Sequence, residues 1–127
     1  EHAQFGVMMP KSWNLGTVTF QGVWTSEGAV STGIALFLQG LGVADNESID
    51  QAYGTAIVVT DDAQGAAEEI YVTAESAAVT IAQTPADDDM TFFRVGRDVS
   101  DGNDDMTQDM RLIGIKLFIT IDAGEDT

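Results

Sequence analysis

An all-β fold, an antiparallel two-sheet sandwich of jelly-roll-like type with about eight strands, is what this sequence predicts. Three observations lead there. Apolar and polar residues alternate in most of the apolar segments, the period of a half-buried strand. Gly, Asp, Thr and Ser punctuate those segments at short intervals. No stretch carries an apolar stripe long enough for an amphipathic helix of three turns. At 127 residues the size prior is one domain, a single sandwich over residues 1–127. The Cys–Trp–Cys pattern of true immunoglobulin domains is missing, because the chain has no Cys.

The elements follow in order. Residues 3–9 alternate, with Phe5, Val7 and Met9 on one side. Pro10 lacks an N–H and ends that strand. Ser12, Asn14 and Gly16 are turn formers, and Trp13 among them is too large and apolar to idle in a turn. Pro10 and Trp13 therefore mark a structural corner, with Trp13 as a plug at one end of the core. Residues 17–25 form the next strand. Val18 and Phe20 share a face, and Val23 beside Gly22 breaks the period, which predicts a bulge. Residues 32–42 carry Ile34, Leu36 and Leu38 on one face and Ala35, Phe37 and Gln39 on the other, so this strand is expected to be covered on both sides. Residues 48–54 read as about one helical turn, from their acidic start and terminal Gly. Strands follow at 55–60, 69–73 and 76–82. A Pro turn with three successive acids, Asp87 to Asp89, precedes a strand at 90–97. A long acidic loop occupies 98–108. Residues 109–122 are expected to form the longest strand, and the acidic tail 123–127 to fray.

The charge is extreme: 21 acidic residues against 5 basic, a net −16. Such a surface repels nucleic acid and anionic membrane, and neither is an expected partner. No segment reaches the roughly 20 apolar residues of a helical membrane span, so membrane insertion is not expected. Without Cys, and with His2 as the single histidine, thiolate nucleophiles, Cys-ligated metals and a His-based triad are ruled out or without support. An enzyme is not expected, and no cofactor.

Two acidic clusters raise the question of cation binding. Asp98, Asp101, Asp104, Asp105 and Asp109 offer the many oxygens that Ca²⁺ takes. The spacing departs from the helix-flanked calcium loop, with Gly102 misplaced and no closing Glu, so a solvated hairpin loop ranks ahead of a Ca²⁺ site. Asp87, Asp88 and Asp89 pose the same choice, with metal ranked lower still. Arg94 and Arg97, three apart in a strand, point to opposite faces, and an ion pair with local acids is the expected role for them and for Arg111. Trp13, Trp24, Tyr53 and Tyr71 can stack on sugars, but core packing is the default in an all-β domain.

Four segments together carry a resemblance. They are Met9-Pro10-Lys11-Ser12-Trp13-Asn14-Leu15-Gly16-Thr17-Val18-Thr19-Phe20, Ile49-Asp50-Gln51-Ala52-Tyr53-Gly54-Thr55, Glu75-Ser76-Ala77-Ala78-Val79-Thr80-Ile81-Ala82 and Arg111-Leu112-Ile113-Gly114-Ile115-Lys116-Leu117. In order and spacing the chain resembles a family of small tailed-phage and prophage virion proteins. The resemblance implies a non-enzymatic structural protein on the exterior of the particle: a capsid decoration or head fibre, or a tail fibre or receptor-binding component. It implies a homotrimer, with capsid or tail proteins and a host-surface glycan as partners. It also implies an N-terminal segment ahead of Glu1. The competing reading is a carbohydrate-binding β-sandwich module, Ca²⁺-dependent or not. The acidic balance suits a saline medium, where self-repulsion is screened.

Overall fold

Alternation of apolar residues resolves into eight strands: β1 His2–Met8, β2 Thr19–Ser26, β3 Gly33–Val43, β4 Ile57–Asp62, β5 Ile70–Val72, β6 Ile81–Ala82, β7 Met90–Arg97 and β8 Met110–Phe118. They come from a computed structural model that describes residues 2–86 and 88–122. Asp87 and the tail expected to fray, 123–127, lie outside the described residues. One sheet has the order β1-β7-β3-β4, with β6 beside the far end of β3; the other is β5-β2-β8. Every pairing is antiparallel except β3 with β6.

Both inner faces feed one core. Phe20 and Trp24 of β2 meet Ile34, Leu36 and Leu38 of β3 and Phe93 and Val95 of β7, all at most 2% exposed. Burying each such side chain is worth about 1.5–3 kcal/mol. Trp24 tilts against Tyr71 at 4.8 Å between ring centroids, and its indole N–H donates to Asp61 Oδ2 at 2.9 Å. Phe5 stacks on Phe93 across the β1–β7 pair.

The corner at residues 9–18 carries the chain from one sheet to the other. Pro10 C=O accepts the Trp13 N–H at 2.9 Å, closing the turn. Asn14 Oδ1 accepts the Gly16 N–H, so the turn holds Leu15 at φ 65°, a conformation that costs a non-glycine residue about 1–2 kcal/mol. Trp13 is 3% exposed within the core and bridges Ile121. Asn14 N–H donates to Thr120 O, and Asp122 N–H to Ser12 O, so the corner is clamped to the run-out of β8.

The expected bulge exists, but its extra residue lies in the partner strand. Val23 pairs with Gly114 and Trp24 with Leu112, which leaves Ile113 of β8 unopposed and 54% exposed. β2 keeps its period throughout: Val18, Phe20, Gly22 and Trp24 face inward. In β8 the inward set is Met110 and Leu112 before the bulge, then Ile115 and Leu117 after it, with Ile119 following the strand. One inserted residue has switched the parity.

Three further expectations change. Residues 48–54 form no helical turn. Ile49, 73% exposed, is an isolated apolar residue with no face to bury. Ser48 Oγ takes the Asp50 N–H, and the Gly54 N–H goes to Gly40 O. Side-chain and sheet acceptors have outcompeted the helix. The expected strand at 76–82 shrinks to Ile81–Ala82, because the segment serves both sheets. Val79 exchanges backbone bonds with Val18, and Ile81 then pairs with Gly40 on the other sheet. β8 is not the longest strand; its nine residues fall short of the eleven in β3.

β3 is covered on both sides, as its two apolar faces predict. On the outer face Leu41 and Val43 are buried where residues 44–54 fold back. Gln39 Nε2 donates to Gly54 O there, and the Arg94 guanidinium sits 4.3 Å over the Tyr53 ring.

Candidate functional site

The acidic loop after β7 is where the sequence concentrates its candidate ligands. The structure brings it back against the end of the core. Arg97 closes β7 in register with Leu36, so its side chain leaves the sheet on the inner side and emerges at the end of the sandwich. Its Nε and Nη2 donate to the two oxygens of Asp104 at 2.8 and 2.7 Å, a bidentate pair. Nη1 donates to Gln108 O and Nη2 also to Met106 O. Asp104 Oδ2 accepts the Ala35 N–H as well, and Asp105 Oδ1 accepts the Gly33 N–H at 2.7 Å. Two carboxylates of the loop thus finish the open edge of β3 where β7 gives out.

The Asp104 side chain is only 3% exposed and that of Arg97 18%. Burial alone would raise the Asp104 pKa. The Arg97 hydrogen bonds, the Ala35 N–H and the guanidinium charge outweigh it, and the carboxyl sits below its ordinary range. Arg97 is held above its ordinary value, first by the hydrogen bonds to Asp104, with burial opposing.

The other candidate ligands are placed apart or bonded internally. Asp98 Oδ1 accepts from the Ser100 N–H and hydroxyl, and Asp101 Oδ1 accepts the Asn103 N–H. Asp109 is exposed beyond the loop. Among the described residues no three His, Asp or Glu side chains converge as a metal set. In the second acid run, Asp89 Oδ2 accepts the Ala86 N–H and closes its turn, Asp88 is exposed, and Asp87 lies outside the described residues. Arg94 and Arg97 do point to opposite faces. Arg94 lies on the outer side with Tyr53; Arg111 meets Glu27 and Glu68 at 3.3 and 3.5 Å at the surface.

Beside the loop, β1, β7 and β8 border an open cleft of about 680 Å³, lined by His2, Val95, Arg97, Asp109, Arg111 and Leu112 among others. It lies where the edge strands of the two sheets part. Its cations are already engaged: Arg97 by Asp104, Arg111 by Glu27 and Glu68.

Compared with protein-family models, curated proteins and solved structures, the chain matches none.

Three of the four aromatic candidates are core residues, and the fourth, Tyr53, is half-buried outside the core. Trp13, Trp24 and Tyr71 are 3%, 0% and 8% exposed, and Tyr53 is occupied by Arg94. The ion pair expected of Arg97 with a local acid is present; what the sequence did not disclose is that the acid is Asp104 and that β3 shares it. Seven positions separate the two residues, and their third partner, the Ala35 N–H, comes from a strand 69 residues before Asp104. The one available signal was a lone Arg ending a strand just ahead of an acid-rich loop.

Proposed function

We propose that this chain is a non-enzymatic structural component on the exterior of a tailed-phage particle, either on the head or on the tail. The reading rests on the resemblance in four segments from Met9 to Leu117. The observation that carries it furthest is how the charged groups are used. The most buried ion pair among the described residues, Arg97 with Asp104, is spent together with the Ala35 N–H on fastening a loop to β3. Of the carboxylates around it, Asp98 and Asp101 bond to their own loop and Asp105 to the Gly33 N–H of β3. Such a domain offers surface and stability, which is what a particle component needs.

The carbohydrate-binding alternative requires exposed aromatics as stacking platforms. Neither tryptophan and neither tyrosine provides one, so the particle reading is preferred. Mass spectrometry of purified particles from cells that express the chain tests it. The protein should be present at a fixed copy number per particle and removable without loss of the packaged genome. Its absence from washed particles would overturn the reading.

A further inference from the structure

Across the core, the smaller sheet is one strand short. Gly22 of β2 lies against Leu36 of β3. The loop after β4 reaches β5, where the Gln64 N–H donates to the Tyr71 hydroxyl. Counted the other way from β2 and β3, β8 stands opposite β7, and β1 has no strand opposite it. The open cleft bordered by β1, β7 and β8 is that vacant position. Its side chains are unfinished. Phe5 and Val7 of β1 and Leu112, Ile115 and Leu117 of β8 turn toward the core but are only half-buried, whereas Val59 and Tyr71 at the opposite edge are buried.

The backbone of β8 is unfinished as well. Phe20 and Gly22 turn their N–H and C=O away from β8, to Ser76 and Thr73 beyond β5. Thr19, Gln21 and Val23 therefore bond β8, through Phe118, Lys116 and Gly114 in register. Ile115 and Leu117 are left with N–H and C=O aimed at the open edge, without a partner among the described residues. Unpaired peptide groups beside a half-buried apolar row are the template for an added strand.

We infer that the vacant position takes one extended, cationic segment of a partner protein, added antiparallel to β8 and opposite β1. Every second side chain of the segment is apolar and covers Phe5, Val7, Leu112, Ile115 and Leu117. That the occupant is a single strand follows from β1. Two copies of this chain cannot join β8 to β8 in one sheet, because an isologous pairing lays β7 of each copy where β1 of the other already stands. The sign of its charge follows from the Met110 end of the cleft. Four carboxylates gather there, Glu27, Glu68, Asp104 and Asp109, against two guanidiniums, Arg97 and Arg111. Asp109 is exposed and has no ion-pair partner among the described residues. An antiparallel segment finishes at that end, so a Lys or Arg near its C-terminal end meets Asp109. The net charge of −16 draws such a segment in. The vacancy owes nothing to the particle reading and stands whether or not that reading holds.

Titrating the whole chain with a synthetic peptide tests it. The peptide matches the nine residues of β8 in length, has capped ends, alternates Val and Thr, and carries two Lys at its C-terminal end. Backbone amide exchange and fluorescence anisotropy are the readouts. In the free chain the Ile115 and Leu117 amides should exchange fast and the Lys116 amide slowly. Bound peptide should slow Ile115 and Leu117 at least tenfold and leave Lys116 as it was. The same peptide with Glu in place of Lys should bind at least tenfold more weakly at low salt, and the difference should shrink as salt rises. Ala3→Trp fills the cleft from an exposed position of β1. It should keep the wild-type circular dichroism and weaken binding at least tenfold. Asp109→Lys should remove most of the preference for the Lys peptide. No binding at millimolar peptide overturns the inference. So does binding that leaves Ile115 and Leu117 unprotected, or equal affinity for the two peptides. A free chain whose Ile115 and Leu117 amides are already slow, and which sediments as a dimer, overturns it in favour of a second copy.

Discussion

Arg97 is flanked by acids, yet it selects one. Asp104 binds both guanidinium branches and a backbone N–H while nearly excluded from water. Asp104→Asn leaves that guanidinium without its counter-charge and should cost about 3 kcal/mol, because breaking a buried pair strands the surviving charge. Urea unfolding at neutral pH measures it. The pH dependence has a definite sign. The folded pKa of Asp104 is depressed, so its contribution is fully present above the unfolded value, about 3.9, and is lost as pH falls through the lower folded value. The gap between wild type and Asp104→Asn should therefore be constant from neutral pH down to about 4 and close below that. A gap that closes near neutral pH would point to another group. Trp13 makes a second case. Trp13→Ala removes the largest side chain at the corner and should cost about 3–5 kcal/mol. A variant that melts with the wild type would show that the corner is held by its backbone clamp alone.

Among the elements, β8 shows what an alternating pattern reveals and what it conceals. That 109–122 is extended was plain from its apolar residues. Which of them face inward was not, because parity depends on where one extra residue is accommodated against β2. Deleting Ile113 should leave Met110, Leu112, Ile115 and Leu117 on the inner face and cost little. Deleting Lys116 should turn Leu117 outward and cost several times more, since each exposed Leu forfeits about 1.5–3 kcal/mol. Comparing the two melting temperatures checks the register directly. Most strands were legible for the same reason that β7 was: Phe93 and Val95 against Phe92 and Arg94 is a pattern only a strand satisfies. The helical turn at 48–54 failed because acid-then-Gly punctuation is common to helix ends and to turns, and a single apolar residue, Ile49, could not decide between them. The crossing at 79–82 was hidden too. Its two halves pair with Val18 and Gly40, strands that no local pattern associates.

Over the whole molecule, the charge is a load on the fold. Among the described residues, every acid but Asp61 and Asp62 lies outside the strands, where most face water and repel one another. Screening should relieve that repulsion, so the melting temperature should rise with NaCl from low salt to about 1 M, where the Debye length is near 3 Å. Asp104→Asn should rise in parallel, because its buried pair is screened little. A melting temperature that falls with salt would mean that exposed pairs such as Arg111 with Glu27 outweigh the net charge. The excess of acid was visible in the composition, but the division between acid-rich loops and strands that hold only Asp61 and Asp62 becomes a property of surfaces only once the strands are assembled.

The clamp between residues 12–14 and 120–122 has a mechanical consequence. Ser12 and Asp122 sit at the same end of that short antiparallel pairing. A pull applied between His2 and Asp122 would first peel β1 from β7 one bond at a time, beginning at the His2–Gly96 pair. It would then reach the clamp and open it as a zipper rather than in shear. Tension along the chain meets its bonds singly, so the domain should extend stepwise at low force, however well its core resists heat. An optical-trap record with one abrupt, high-force rupture would contradict that order.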